Sequence, residues 1–139
     1  MKFSSTRILS VDVPRLASFY ADVTGVSPVG TPEYTEIGTT GAVLALCSVD
    51  AVRAASPNAL PDTPGITPVN TSVILEFEVD DVDVMRQRLD GRVGEWVQEP
   101  TDQPWGNRSM LLRDPDGNLV NLFTAIPDAN RNWPSQGQA

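Results

Sequence analysis

Apolar and polar positions follow two rhythms along the chain, and the same succession of rhythms occurs twice. Arg7 to Val11 reads as an extended run that meets Asp12, a helix N-cap type, and Pro14, whose fixed φ suits a first helical turn. Leu16, Phe19, Tyr20 and Val23 then recur at helical spacing, and Gly25 marks the stop. Further on, Val73, Leu75, Phe77 and Val79 alternate with Ser72, Ile74, Glu76 and Glu78, the period of a strand with one buried face. Asp81 caps a second helix with Val82, Met85 and Leu89 on one side, ended by Gly91.

The ends of the two halves also match. Gly41-Ala-Val-Leu-Ala-Leu-Cys47 and Gly117-Asn-Leu-Val-Asn-Leu-Phe123 each place a glycine turn before a short apolar strand, so that Ala45 corresponds to Asn121. Thr35 to Ile37 and Gly94 to Gln98 supply further strands. Between the halves, Pro57, Pro61, Pro64 and Pro68 with Asn58, Asp62 and Gly65 resist regular structure. The predicted organisation is α+β. It has a βαβββ module over 1–52, a Pro-rich linker over 53–71, a second βαβββ module over 72–127 and a polar tail over 128–139. Each sheet gives one face to its helix and keeps the other, and the two inner faces are expected to pair and enclose a cleft, the default ligand site.

Composition narrows the chemistry. At 139 residues the chain is one ordinary domain or two half-size modules sharing a core, and 40% apolar residues suffice to fold without staples. The single cysteine, Cys47, has no partner for an internal disulfide, which fits a reducing compartment. A net charge of −8 disfavours nucleic acid and anionic membranes as partners. The opening residues lack the apolar core of a secretion signal, and no run approaches the roughly 18 apolar residues of a membrane span, so a cytoplasmic location is expected. The chain contains no histidine, which excludes Ser-His-Asp and Cys-His catalysis, His-ligated metals and imidazole proton shuttles.

Three stretches carry a resemblance to a known family. They are Val11-Asp-Val-Pro-Arg-Leu-Ala-Ser-Phe-Tyr20 with Gly25, Phe77-Glu-Val-Asp-Asp-Val-Asp83, and Pro104-Trp-Gly-Asn-Arg108 leading into Arg113-Asp-Pro-Asp-Gly-Asn-Leu-Val-Asn-Leu-Phe123. From about Thr6 to Ile126 the sequence resembles the vicinal oxygen chelate superfamily, which includes glyoxalase I, extradiol dioxygenases, fosfomycin resistance enzymes and bleomycin-binding proteins. Members that do metal chemistry take one ligand from each of four inner strand positions. Carried onto this chain, those positions are Ile74, Asn121, Ala45 and either Ser5 or Thr6, depending on register. These side chains lack the donors a zinc, iron or manganese centre needs. The resemblance therefore implies the metal-free, cofactor-free branch, in which the cleft binds an organic molecule.

Candidate binding residues follow. Trp105, in a Pro-Trp-Gly turn, can offer a flat face to a ligand ring or cover the sheet edge. Alternation puts Trp96 and Gln98 on one face, either toward the cleft or in the core. Glu76 and Ile74 fall on the cleft side, where a carboxylate favours a cationic ligand unless the strand end is merely solvated. Asn121, with Leu119 and Phe123, lies on the matching face and can both donate and accept hydrogen bonds. Arg108 either clamps a ligand carbonyl or pairs with Asp102 or Asp114. Tyr34 and Glu36 line the first half of the cleft, Arg7 has an unsettled facing, Cys47 reads as a buried inert thiol, and Trp133 in the tail carries little weight.

The expected function is sequestration of an aromatic or cationic small molecule, in the manner of antibiotic-resistance binding proteins. The other possibility is a metal-independent lyase or isomerase with Glu76 as base and Tyr34 or Arg108 polarising a carbonyl. The resemblance also implies a homodimer, and the short linker would permit module swapping.

Overall fold

In a computed structural model of the chain, residues 1–61 and 70–127 are described. The middle of the expected linker and the polar tail with Trp133 lie outside the described residues. The chain divides into two compact units, Met1–Asn70 with Pro115–Gly117, and Thr71–Asp114 with the segment from Asn118 onward.

In the first unit, strand β1 (Ser5–Ser10) is followed by helix α1 (Val13–Thr24). The Asp12 side chain accepts the Arg15 N–H at 3.1 Å, satisfying a donor that the first helical turn leaves free. Gly25 takes the left-handed conformation at φ 69° and returns its N–H to Ala21 O at 2.9 Å, which ends the helix. Leu16, Phe19, Tyr20 and Val23, the apolar stripe read from the sequence, are buried, and Val13 and Ala17 are buried with them. Burial of side chains this size contributes on the order of 1.5–3 kcal/mol each for the larger ones.

Strands β2 (Val29–Gly30), β3 (Tyr34–Thr39) and β4 (Ala42–Ser48) complete a sheet of order β1-β4-β3-β2, with β1 parallel to β4 and the other pairs antiparallel. Thr35, Ile37, Leu44 and Leu46 are buried on one face, and α1 packs on β3 and β4. Gly30 is required where it stands. Its φ is 148°, and a Cβ there would overlap the Tyr34 carbonyl oxygen, which accepts the Thr31 N–H at 2.7 Å to close the turn.

A helix unforeseen in the sequence, α2 (Val49–Ala55), follows directly on β4. Ser48 caps it by accepting the Ala51 N–H at 2.9 Å, and it runs through Arg53–Ala55, residues read as the start of the linker. Ser48 and Asp50 in the first turn were the available signal.

The second unit repeats the topology. Strand β5 (Ile74–Glu78), helix α3 (Val82–Arg88) and strands β6 (Glu95–Asp102), β7 (Asn107–Arg113) and β8 (Leu119–Ala125) form a sheet of order β5-β8-β7-β6. Again the first strand is parallel to the last and the others are antiparallel. Met110, Leu112, Val120 and Leu122 are fully buried, and Val82, Met85 and Leu89 from the α3 segment are buried with them. The Thr124 hydroxyl ties helix to sheet, accepting the Val82 N–H at 2.9 Å and donating to Val79 O at 3.0 Å. The two units are thus α+β modules of identical strand order. Among the described residues no helix is long and apolar enough to cross a membrane.

Candidate functional site

Residues paired across neighbouring strands share a face, so register sorts the second sheet into two sides. The rows Leu75–Val120–Leu112 and Phe77–Leu122–Met110 point toward α3 and hold the buried core. The alternate rows Ile74–Leu119–Arg113, Glu76–Asn121–Leu111 and Glu78–Phe123–Ser109 lie on the opposite face. Four sequence candidates, Ile74, Glu76, Asn121 and Phe123, are thereby gathered on one surface. Ile74, an aliphatic side chain, is 50% exposed there, and Phe123 is half-buried.

At the centre of that face, Asn121 Nδ2 donates to Glu76 Oε1 at 3.0 Å. A carboxylate can only accept, so this bond fixes which way the amide points. The Asn121 carbonyl oxygen Oδ1 is left buried and without a hydrogen-bond partner in the chain. A buried acceptor in that state costs about 1–3 kcal/mol, and native folds keep few of them. Carboxylate and carbonyl side by side form an acceptor-only pair, suited to an ammonium, an amidinium or another hydrogen-bond donor.

Two candidates turn out to face α3. The Arg108 guanidinium makes two bonds to Asp83, at 2.8 and 3.0 Å, and one to Asp102 at 3.0 Å. Its row partner Thr124 is the residue that anchors α3, so alternation along β7 aims Arg108 at the helix. The hydrogen bonds from Arg108 hold the Asp83 carboxyl below its usual range, and Asp83, with Asp102, raises the Arg108 pKa in turn. Of the pairings weighed from the sequence, Asp102 is made, and Asp83 was missed. Trp96 is covered by Arg86 of α3, whose Cζ stands 3.9 Å from the indole centroid while its guanidinium also holds Glu99 at 2.8 Å. Gln98 does not share that side. β6 shifts register between Trp96 and Gln98 and again before Thr101, so that Gln98 pairs with Leu111 on the opposite face.

Trp105 stands at the tip of the β6–β7 turn, 46% exposed. The turn is closed by Gln103 N–H to Asn107 O at 2.7 Å and Gly106 N–H to Gln103 O at 3.1 Å.

In the first unit, Arg7, Ala45 and Glu36 form one row and Leu9, Cys47 and Tyr34 the next, away from the buried Thr35–Leu46 and Ile37–Leu44 rows. Arg7 therefore faces the side opposite α1, with its guanidinium carbon 5.6 Å from the Tyr34 ring centroid. The Tyr34 hydroxyl donates to Glu36 Oε1 at 2.7 Å. That bond, then burial and the Glu36 charge, push the phenol pKa above its ordinary value of 10.0. A raised folded-state value means that this contribution to stability is full below the unfolded pKa and is lost as pH rises through the folded one. Titration of carbon-labelled tyrosine by NMR is expected to show Tyr34 ionising above a free phenol, and Glu36→Gln to bring it down; an unchanged titration would disprove the coupling. Cys47 is buried, its Sγ 3.7 Å from Ser48 O.

Register also settles the correspondence between units. Ser5 pairs with Val43 as Ile74 pairs with Leu119, and Arg7 pairs with Ala45 as Glu76 pairs with Asn121. The inner positions that the resemblance assigns to metal ligands are therefore Ser5 and Ala45 in one unit, Ile74 and Asn121 in the other. Those donors do not fit a transition metal, and among the described residues no group of three or more His, Cys, Asp or Glu side chains is placed to hold one. Sequence reasoning missed Asn107, Ser109 and Leu111, which share the Asn121 face; their signal was alternation with Met110 and Leu112.

A sequence profile described as "Glyoxalase/Bleomycin resistance protein/Dioxygenase superfamily" matches residues 2–122. No curated protein matches by sequence. Among solved structures, a glyoxalase/bleomycin resistance protein/dioxygenase family enzyme from Burkholderia phytofirmans PsJN superposes with a TM-score of 0.76 at 18% identity, covering 91% of this chain and 100% of its own. TioX from Micromonospora sp. ML1 gives 0.65 at 21% identity, covering 91% and 100%. A lactoylglutathione lyase from Agrobacterium tumefaciens gives 0.61 at 22%, covering 88% and 92%. At such identities these likenesses speak for the fold.

Proposed function

The chain belongs to the glyoxalase/bleomycin resistance protein/dioxygenase superfamily, and from that premise we propose that it binds a small organic molecule on the second sheet's Glu76–Asn121 face and acts by sequestering it. The ligand is aromatic or cationic, and neither metal nor cofactor takes part. The observation that carries this reading is the acceptor pair itself: a carboxylate held by an amide whose own carbonyl is buried and unpartnered. Phe123, Ile74 and Leu111 beside the pair supply apolar contact, and the net charge of −8 favours approach of a cation.

A lyase or isomerase using Glu76 as base is the competing reading. It needs a second group to polarise a carbonyl, and Arg108 is committed to Asp83 and Asp102 on the far side of the sheet. Tyr34 already donates its hydroxyl to Glu36. Calorimetry on chelator-treated protein with paired cationic and anionic aromatic compounds is the test. Cationic members are expected to bind, and Glu76→Gln to weaken them about tenfold or more, the scale of one charge-assisted hydrogen bond. Equal binding of anionic members, or silence across a broad panel, would overturn the proposal, and turnover abolished by Glu76→Gln would replace it with the lyase.

A further inference from the structure

Among the described residues, Asn107 Oδ1 and Asn121 Oδ1 are buried side-chain oxygens with no hydrogen-bond partner within the chain. Both lie on the face of the second sheet opposite α3. Asn107 pairs with Ala125 on β8, four residues beyond Asn121, which places the two amides about 13 Å apart along the strand direction. The row between them is Phe123 with Ser109. Glu76, Glu78 and Glu95 lie on the same face, together with Arg113, whose Nε is 3.6 Å from Glu95.

From this arrangement we infer that the ligand is an elongated molecule with a hydrogen-bond donor at each end and an apolar or aromatic middle. A cationic donor meets Glu76 and Asn121, a second donor meets Asn107 Oδ1, and Phe123 packs against the middle. The inference rests on the binding reading above and narrows it, because a ligand with one donor would leave Asn107 as costly in the complex as in the free protein. It also excludes an anion at the Glu76 end, since a carboxylate and a carbonyl would face it.

Three rigid probes separate the possibilities: a biphenyl bearing an aminomethyl group at each para end, its counterpart with one aminomethyl group, and the matching dicarboxylate. Calorimetry with the full chain is expected to show the diamine binding about tenfold or more tighter than the mono-amine, and the dicarboxylate not at all. Asn107→Leu is expected to bring the diamine down to the level of the mono-amine, and Asn107→Asp, which keeps an acceptor, to restore the difference. Glu76→Gln weakens both amines. A mono-amine that responds to Glu76→Gln while the diamine gains nothing would overturn the second anchor and leave the first reading standing. A diamine advantage that survives Asn107→Leu would overturn the assignment to Asn107, and failure of both amines to bind would overturn both readings.

Discussion

Leu122→Ala is expected to cost about 2–5 kcal/mol of stability, the range for emptying a buried leucine site that cannot fully collapse. Leu122 has no solvent exposure and sits in the row between Phe77 and Met110, on the side of the sheet that α3 covers. Its neighbours in the core, Val120, Leu112 and Met110, are equally sealed, so water cannot refill the space that the missing carbons leave. Such a loss is a large part of the roughly 5–15 kcal/mol that holds an ordinary domain folded. Urea unfolding followed by tryptophan fluorescence measures it, since Trp96 and Trp105 both belong to the second unit. A change below about 1 kcal/mol would mean that this row is not the centre of the core.

The residue next to it should behave in the opposite way. Asn121→Leu removes the unpartnered carbonyl and the amide that steadies Glu76, on the face opposite Leu122. Replacing a buried unsatisfied acceptor by an apolar group of similar size is close to neutral for folding or slightly stabilising. Glu76 is exposed, so water takes over the lost bond. Binding of the cationic probes is expected to fall about ten- to a hundredfold, the loss of one acceptor together with the orientation of its carboxylate partner. Calorimetry and a urea melt on the same preparation separate the two effects. Unchanged affinity, or destabilisation as large as that of Leu122→Ala, would remove Asn121 from the site.

Much of this architecture was readable in the residues because local chemistry and tertiary packing ask for the same thing there. Asp12, Pro14 and Gly25 delimit α1, and Asp81 caps α3, through side-chain and backbone bonds that need no distant partner. Alternation in Ile74–Glu78 placed Glu76 correctly because β5 is regular. The same logic failed on β6, where a register shift parts Trp96 from Gln98, and a bulge leaves no mark on apolar periodicity. The Asp102 pairing of Arg108 was among those weighed, but its facing was not legible, because that depends on parity with Thr124, sixteen residues onward in sequence and directly across the sheet. Asn107 escaped notice because an asparagine at the mouth of a turn looks like turn chemistry until its side-chain oxygen is seen to be buried.

The irregularity of β6 has a bearing on how the protein behaves when crowded. β6 is the outer strand of its sheet, and a straight outer strand offers a row of free backbone donors and acceptors on which a foreign strand can template itself. The two register shifts break the even spacing such templating needs, and Pro100 within the strand contributes no N–H at all. On the other sheet the strand at the same margin, β2, is two residues long, too short to seed a ladder. The kinks that hid Gln98 from a sequence reader thus also guard the β6 margin against amyloid-like growth.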